Sequence, residues 1–587
     1  MFNVRDRKTG RLFDSWGYLG PKRRKLLEES WAGLFRRDIL PGLPVETLSS
    51  RFHDSFGRPT KEIYTTMGAL IFQQMFDLTD NETVDQLAFN LKWHYALDLP
   101  EESDGAKYLC PRTLWTMRKA VSETKMDEVL FADVTGQLAK VFSVAPECQR
   151  LDSVHITSNM RRLGRIGIFV RVITRFLVNF RRGRVDLFSS LEPSFSERYL
   201  TKKGQGVFAM VKPSESAKTL ELVGGDLFLL VRRFADNPAV VEMTSYKLMR
   251  RVLSEQCDVD SEAGTVSLKP PREISSDSLQ NPSDPDAGYS AHKGQGYQAQ
   301  IMETFSPAPP DDSEGTKVEG ESKPGLRLIT YVAVEPAHKS DAHALVPAID
   351  DTKKRGLAPT EVLADSPYGS DDNVVAATVR GVAVISPLQG PKMDRAITLA
   401  DFSLSSREEI LRCPQGASPI KKAQRGKSGH VIFAADACIR CPLRPRCPVR
   451  PGKGGYWLRF NDKALRIARR RAHEKSPAFP ARYRFRAGIE GTFSALDRRT
   501  GVKQLRVRGL EAVRYCVMLK ALGLNILRAA VVRTRENGRN PALASKISRV
   551  VGEILTFVRH LFTRVMEMTD HLVWQSGGPA PMFLRAA

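Results

Sequence analysis

The 587 residues predict an α/β fold: a mixed sheet with a helical insertion, preceded by an all-α N-terminal domain. Three observations predict it. Residues 1 to about 147 read as mostly helical, with amphipathic stretches and few strand-like runs. After Cys148 the pattern changes to short apolar strands that alternate with helices. The chain is 42% hydrophobic, enough for real cores, and its length calls for two or three domains.

The N-terminal segment "RPTKEIYTTMGALIFQQMFDLTDNETVDQLAFNLKWHYALDLP" holds two amphipathic helices. Asp80 sits where an N-cap would start the second, with Glu82 and Asp85 near its first turn. "CPRTLWTMRKAVSETKMDEVLFADVTGQLAKVF" continues as helix, with Pro111 near a helix start. Such a domain is either a DNA-binding helix-turn-helix or a plain helical bundle, since fold class alone does not give function. "RLDSVHITSN" is a strand, with Leu151, Val154 and Ile156 apolar.

Residues 158 to about 256 read as a helical insertion. Its start spaces Arg161 with Arg165, and Arg171 with Arg175, at i,i+4, while Ile166, Val170, Ile173 and Leu177 form the apolar face. The arginines are either a solvated face or a DNA-backbone contact. Residues 257–288 are rich in Ser, Asp and Pro and read as a linker. Strands resume at "YQAQIMETF" and "LRLITYVAVEPA", separated by a flexible loop at about 306–325. Then follow a helix ending at Gly356, a strand "TEVLAD" ending at Asp365, a helix capped near Ser370, and a strand "VAVISP". The tail, residues 531–587, is basic and helical, and either binds DNA or packs.

Lys and Arg number 89 against 66 Asp and Glu, a net charge of +23. That excess suggests a polyanionic partner, because neutralising phosphates releases counterions. DNA ranks above a membrane surface, since the basic residues are dispersed rather than gathered in one block. No run of eighteen apolar residues and no apolar h-region near the N-terminus is present, so the expectation is a cytoplasmic, nucleoid-associated protein without a membrane span. Eight cysteines are too few for a disulfide scaffold at this length.

Three carboxylates stand out. Asp152 lies in a strand, Asp365 at the C-terminal end of a strand, and Glu490 in the block "RYRFRAGIEGTFSALDRRTGVKQLRVRG". The order strand (Asp), strand, strand, helix, strand (Asp), helix, strand, and a last helix carrying Glu is that of an RNase H-like sheet, which brings all three to one edge. Three such carboxylates suit hard divalent cations, Mg²⁺ or Mn²⁺. Two ions about 3.5–4 Å apart clamp the attacking and leaving oxygens of an in-line phosphoryl displacement.

On these motifs the chain resembles the DDE transposases of bacterial insertion sequences, in the group with a long segment between the second Asp and the Glu. "LDSVHITSN", "GYSAHKGQGYQAQIMETF", "VLADSPYGSDDN" and "RFRAGIEGTFSALDRRTGVKQLRVRGLEAVRYCVMLKALGLNILR" are similar to that family's blocks, as is the N-terminal helical segment. The resemblance implies a catalytic domain over 148–530, with Asp152, Asp365 and Glu490 as a triad that binds two Mg²⁺ or Mn²⁺ ions. It implies cleavage at element ends followed by attack of the freed 3′-OH on target DNA. It also implies terminal inverted repeats as DNA partner, and at least a homodimer in a synaptic complex. A catalytically silent, transposase-derived repressor is the alternative. The chain's size and long insertion argue against a junction resolvase. Related families carry a Tyr-x2-Arg-x3-Glu-x6-Lys signature. Tyr483, Arg486 and Glu490 fit it, as DNA-end contacts or as packing and surface charge. The last position is Asp497, with Arg498 and Arg499 following as approximate replacements for the Lys.

Within a Cys-rich segment at about 405–450, Cys438, Cys441 and Cys447 form Cys-x2-Cys-x5-Cys, and Cys413 supplies a fourth thiol. Four sulfurs in a loop-like region with little apolar sequence fit a tetrahedral structural Zn²⁺. Free reduced thiols are the other reading. His155, three residues past Asp152, is expected on the opposite side of the strand, as packing.

Overall fold

The computed structural model describes the chain except for residues 1, 8, 10–13, 54–55, 57–58, 210, 261, 308–324, 391–396, 406–408, 426–427 and 537–587. The loop expected at 306–325 therefore lies almost wholly outside the described residues, as does the C-terminal tail beyond Glu536.

The N-terminal helices that matter for the core are α1 (Ile63–Met75), α2 (Asp80–Phe89), α3 (Pro111–Glu123) and α4 (Met126–Val141). Pro111 occupies the first turn of α3, where its missing N–H costs nothing. The start of α2 differs from expectation. Thr79 is the N-cap, closing a reciprocal capping box with Glu82. Asp80, one residue on, instead holds Arg118 of α3 in a two-pronged ion pair at 2.8 Å.

The main sheet has β1 (Cys148–Thr157), β2 (Gly294–Thr304), β3 (Ile329–Pro336), β4 (Glu361–Ala364) and β5 (Ala383–Ile385) in the order β3-β2-β1-β4-β5. A short strand, Gly288–Ser290, also pairs with β2. The first three strands are antiparallel neighbours, and β4 and β5 run parallel to β1. The fold is thus mixed α/β.

Side chains alternate across the sheet, so each face buries its own set. One face, with Val154, Ile156, Ala299, Ile301 and Val332, packs on α1, α4 and two C-terminal helices, α8 (Gly488–Thr500) and α9 (Leu510–Glu536). The other, with Leu151 and Met302, packs on Leu345 and Ile349 of α6 (Leu345–Lys354), on Tyr368, and on Ala377 of α7 (Asp371–Val379). The domain break expected after residue 147 falls inside the first of these cores. The N-terminal helices and the sheet share one core, because α9 returns from far along the chain to wedge between them. Gly523 of α9 permits that approach: a Cβ there would lie 2.7 Å from Met75 Cβ. By length and composition α9 could cross a membrane, although no unbroken apolar run marks it. Its most apolar window is 78% buried inside the protein, as a core helix requires.

The insertion has its own core. Its first long helix, α5 (Arg165–Gly183), starts only at Arg165, so Arg161 lies outside it and the expected i,i+4 pair does not form. The buried face of α5 is Phe169, Val172, Ile173, Phe176, Leu177 and Phe180, while Ile166 and Val170 are only half-buried. The linker read at 257–288 contains a small hairpin, Cys257–Asp260 with Thr265–Leu268. Between the main sheet and α8, a second sheet forms from β6 (Lys421–Arg425), β7 (Ser428–Phe433), β8 (Arg450–Gly452) and β9 (Gly455–Asn461).

Candidate active site

Register alone brings the two aspartates together. β1 and β4 are parallel neighbours, and Leu151 pairs with Ala364. The next residue along each segment is Asp152 in β1 and, just past the end of β4, Asp365, so the two carboxylates leave adjacent strands, which lie about 4.8 Å apart, at one level. β4 ends there because Asp365 leads into a 3₁₀ turn, Ser366–Gly369, containing Pro367. The Ser386 hydroxyl donates to the Asp365 carbonyl at 2.9 Å, pinning that turn to the end of β5.

Glu490 arrives from the other side, in the first turn of α8, where a negative charge complements the helix dipole. The preceding turn, Arg484–Ala487, is held by Arg150 of β1, whose Nη1 donates to the Phe485 carbonyl at 2.7 Å. Gly488 lets that guanidinium in: a Cβ there would lie 1.9 Å from Arg150 Nη1. Arg150 is itself anchored by Glu303 of β2, at 2.8 and 2.6 Å. Thr492 of α8 and Arg528 of α9 complete the Glu303 shell at 2.7 and 3.0 Å. Glu303 is fully buried, so it needs both cations and the hydroxyl.

All three carboxylates converge on Arg486. Its Nη2 donates to Asp152 Oδ2, and to Asp365 Oδ2 at 2.6 Å, while Nη1 reaches Glu490 Oε1 at 3.4 Å. The Tyr483 hydroxyl donates to Asp365 Oδ1 at 2.9 Å. Exposure rises along the trio: Asp152 is buried, the Asp365 side chain is 42% exposed and that of Glu490 62%. Burial pushes Asp152 up to about 6, and Asp365 and Glu490 add to the rise, against Arg486 and the Ser153 amide. Burial and the bond to Asp365 raise the Tyr483 phenol.

The donor set is all oxygen and carries up to three negative charges, which suits a hard divalent cation. Among the described residues no three His, Cys, Asp or Glu side chains enclose an ion as they stand. At the trio the reason is visible: the Arg486 guanidinium takes the central position and supplies the positive charge.

The other expected site residues fall elsewhere. Arg498 and Arg499 are exposed on the last turn of α8, about 12 Å along the helix axis from Glu490. Arg499 lines a cavity of about 310 Å³ with Arg327, Arg528 and Arg535. Asp497 accepts from the Lys503 amide at 3.2 Å. Arg165 is committed to the insertion, donating to the Gln256 side chain at 2.9 Å and its carbonyl at 2.8 Å. Arg161 is exposed, and its carbonyl accepts from Asn281. His155 is half-buried, and neither ring nitrogen has a hydrogen-bond partner. Sequence reasoning missed Arg150, Glu303 and Arg482. The last of these fastens the turn to β4 by donating to Glu361 at 2.8 Å. For Arg150 and Glu303 the detectable signal was a charge inside a buried strand; Arg482, on the helix Ala478–Tyr483, gave none.

Cys413, Cys438, Cys441 and Cys447 line a common cavity of about 30 Å³. Burial raises the Cys438 and Cys447 thiols, and the neighbouring cysteines raise them further. A cavity of about 1000 Å³ lies apart from both sites, between α1, α2, α3 and the segment 505–512. Five basic and five acidic residues line it, so it has no net preference for a polyanion.

The mixed α/β fold thus gathers two aspartates and a helix glutamate around one guanidinium, a class of site defined by an oxygen-only donor set. Comparison narrows the class. Residues 412–530 match the family model described as a transposase DDE domain, which bears out the resemblance to DDE transposases. The match contains Glu490 and the four clustered cysteines and leaves Asp152 and Asp365 outside it. No curated protein and no solved structure matches the chain.

Proposed function

We propose that the chain is an insertion-sequence transposase that cuts DNA at element ends and joins the freed 3′ ends to target DNA. The observation that carries this is the convergence of Asp152, Asp365 and Glu490, over 338 residues of sequence, on one guanidinium. The strand order β3-β2-β1-β4-β5, with three antiparallel strands followed by two parallel to the first, supports an RNase H-like reading of the sheet. Asp152, Asp365 and Glu490 would hold Mg²⁺ or Mn²⁺. When bound, the ions stabilise charge on the attacking and leaving oxygens of phosphoryl transfer. Arg486 and Tyr483 hold Asp365 in place, and Arg486 is free to turn to a DNA phosphate once a divalent ion takes over its charge-balancing role. Two ends must be joined, so the working form is a dimer or larger, acting on DNA at the nucleoid.

The test is cleavage of a duplex carrying an element end, with Mg²⁺, by the parent protein and by Asp365→Asn. Cleavage by the parent and none by the variant is expected; undiminished cleavage by the variant rejects the assignment. The silent-repressor alternative has one observation in its favour: Arg486 pairs with all three carboxylates and so competes with an ion for them. Tight DNA binding together with a trio that takes up no Mn²⁺ would select it.

We further infer that Cys413, Cys438, Cys441 and Cys447 hold a structural Zn²⁺. The four cysteines line one small cavity, their thiolates are the soft donors that zinc prefers, and with all four bound none is open to substrate.

A further inference from the structure

The sheet beside the cysteines has a face that the carboxylate chemistry does not use. β6, β7, β9 and β8 are antiparallel neighbours in that order. Their register sets Lys421, Ile432, Trp457 and Arg450 in one row across all four strands. His430 and Arg459 are paired two residues along, and therefore lie on the same face. The opposite face, with Val431, Phe433 and Leu458, packs on the small core that includes Cys413, Cys438 and Cys447.

The outward face has two properties. It carries a preassembled aromatic pair: His430 stacks on Trp457 with centroids 4.4 Å apart and planes 16° from parallel. The Trp457 indole N–H donates to the Lys453 carbonyl at 3.0 Å, which fixes the ring's orientation. The Arg459 guanidinium lies 5.7 Å from the Trp457 ring. Around the buried Ile432, every charge on the face is positive. Lys421, Arg450 and Arg459 are exposed and make no ion pair among the described residues, and the four strands contain no Asp or Glu. An antiparallel sheet showing aromatic rings among unpaired cations suits bases that stack and phosphates that flank them. An acidic protein would match the charge but would gain little from a fixed, stacked ring pair.

We propose that this face is a docking platform for a DNA strand, with a base stacked on the Trp457–His430 pair and flanking phosphates held by Lys421, Arg450 and Arg459. The proposal rests on the transposase reading and gives the protein a DNA contact separate from the carboxylates. The test is fluorescence anisotropy with the full chain, in the Asp365→Asn background without added Mg²⁺, so that nothing is cut and no chelator disturbs the cysteines. The probes are a short labelled single strand and the matching duplex. Trp457→Ala is expected to weaken single-strand binding about tenfold or more. The double variant Lys421→Ala, Arg459→Ala changes only exposed side chains. It is expected to lower the slope of log K against log salt by about 1.4 on the single strand. Parent-like single-strand binding by Trp457→Ala, or an unchanged slope in the double variant, overturns the platform and leaves the transposase reading intact. A parent protein that binds neither probe overturns both.

Discussion

The two sheets treat charge in opposite ways. The main sheet buries it. Asp152 and Glu303 sit among apolar strands and are tolerable only because Arg486, Arg150 and Arg528 reach them. The small sheet displays its charge. Its cations point to water, while its other face rests on a small apolar core with three of the clustered cysteines, Cys413, Cys438 and Cys447. A large sheet with a core on each face can stabilise buried ions by pairing them. A sheet of four short strands cannot, and needs another source of stability. Breaking each device should therefore damage different things.

The largest effect is expected in the small sheet. Replacing Cys438 and Cys441 together by Ser should remove bound zinc, one ion per chain by metal analysis, and open residues 397–461 to proteases. The reason is that structural zinc supplies on the order of 10 kcal/mol of apparent folding free energy in small modules. The circular-dichroism signal and melting of the main body should stay near those of the parent. Retained zinc, or loss of the whole fold, would contradict the separation of the two sheets.

Next comes the buried ion network. Glu303→Ala strands Arg150 and Arg528 and should cost about 3–5 kcal/mol in urea unfolding followed by far-ultraviolet dichroism. As a reference, Asp350→Ala breaks a half-exposed pair with Arg380 and should cost about 0–1 kcal/mol. Equal costs would mean that Glu303 is hydrated in solution.

These contrasts also show what the sequence could reveal. Asp152 and Asp365 were legible because each lies at a fixed place in a short apolar run, and parallel pairing then aligns the strand positions. The thiol cluster was legible from spacing. The guanidinium among the carboxylates was not, since Arg486 meets Asp152 across 334 residues and no local pattern encodes that. The expected face of α5 was right at Ile173 and Leu177 and off at Ile166 and Val170, because the larger rings of Phe169, Phe176 and Phe180 take the core side of the helix. The core shared across residue 147 was illegible for a similar reason, since it is closed by α9 from far along the chain.

A smaller effect is expected at Gly488. Gly488→Ala drives a methyl group against Arg150, which cannot swing aside because Glu303 and the Phe485 carbonyl hold it. Overpacking of this kind costs about 1–3 kcal/mol. The displaced turn carries Arg486, so end cleavage should fall more than stability does. An activity loss no greater than the stability loss predicts would show that Arg150 is only structural.

The smallest effect bears directly on how the main sheet balances its acids. If Arg486 stands where a divalent ion must go, the ion has to displace a paired cation, and that competition weakens its binding. Arg486→Ala removes the competitor and leaves Asp152 and Asp365 facing each other with less compensation, so Mn²⁺ binding to the DNA-free protein should tighten by about tenfold, roughly 1.4 kcal/mol. Titration followed by the Mn²⁺ electron-spin signal reads this without any catalytic step. The same variant should melt lower than the parent without metal and regain much of the difference when Mn²⁺ is added, because the ion replaces the lost charge. Unchanged Mn²⁺ affinity would mean that Arg486 leaves the carboxylates at no cost. The arginine at the centre of the trio would then exert no control over ion binding.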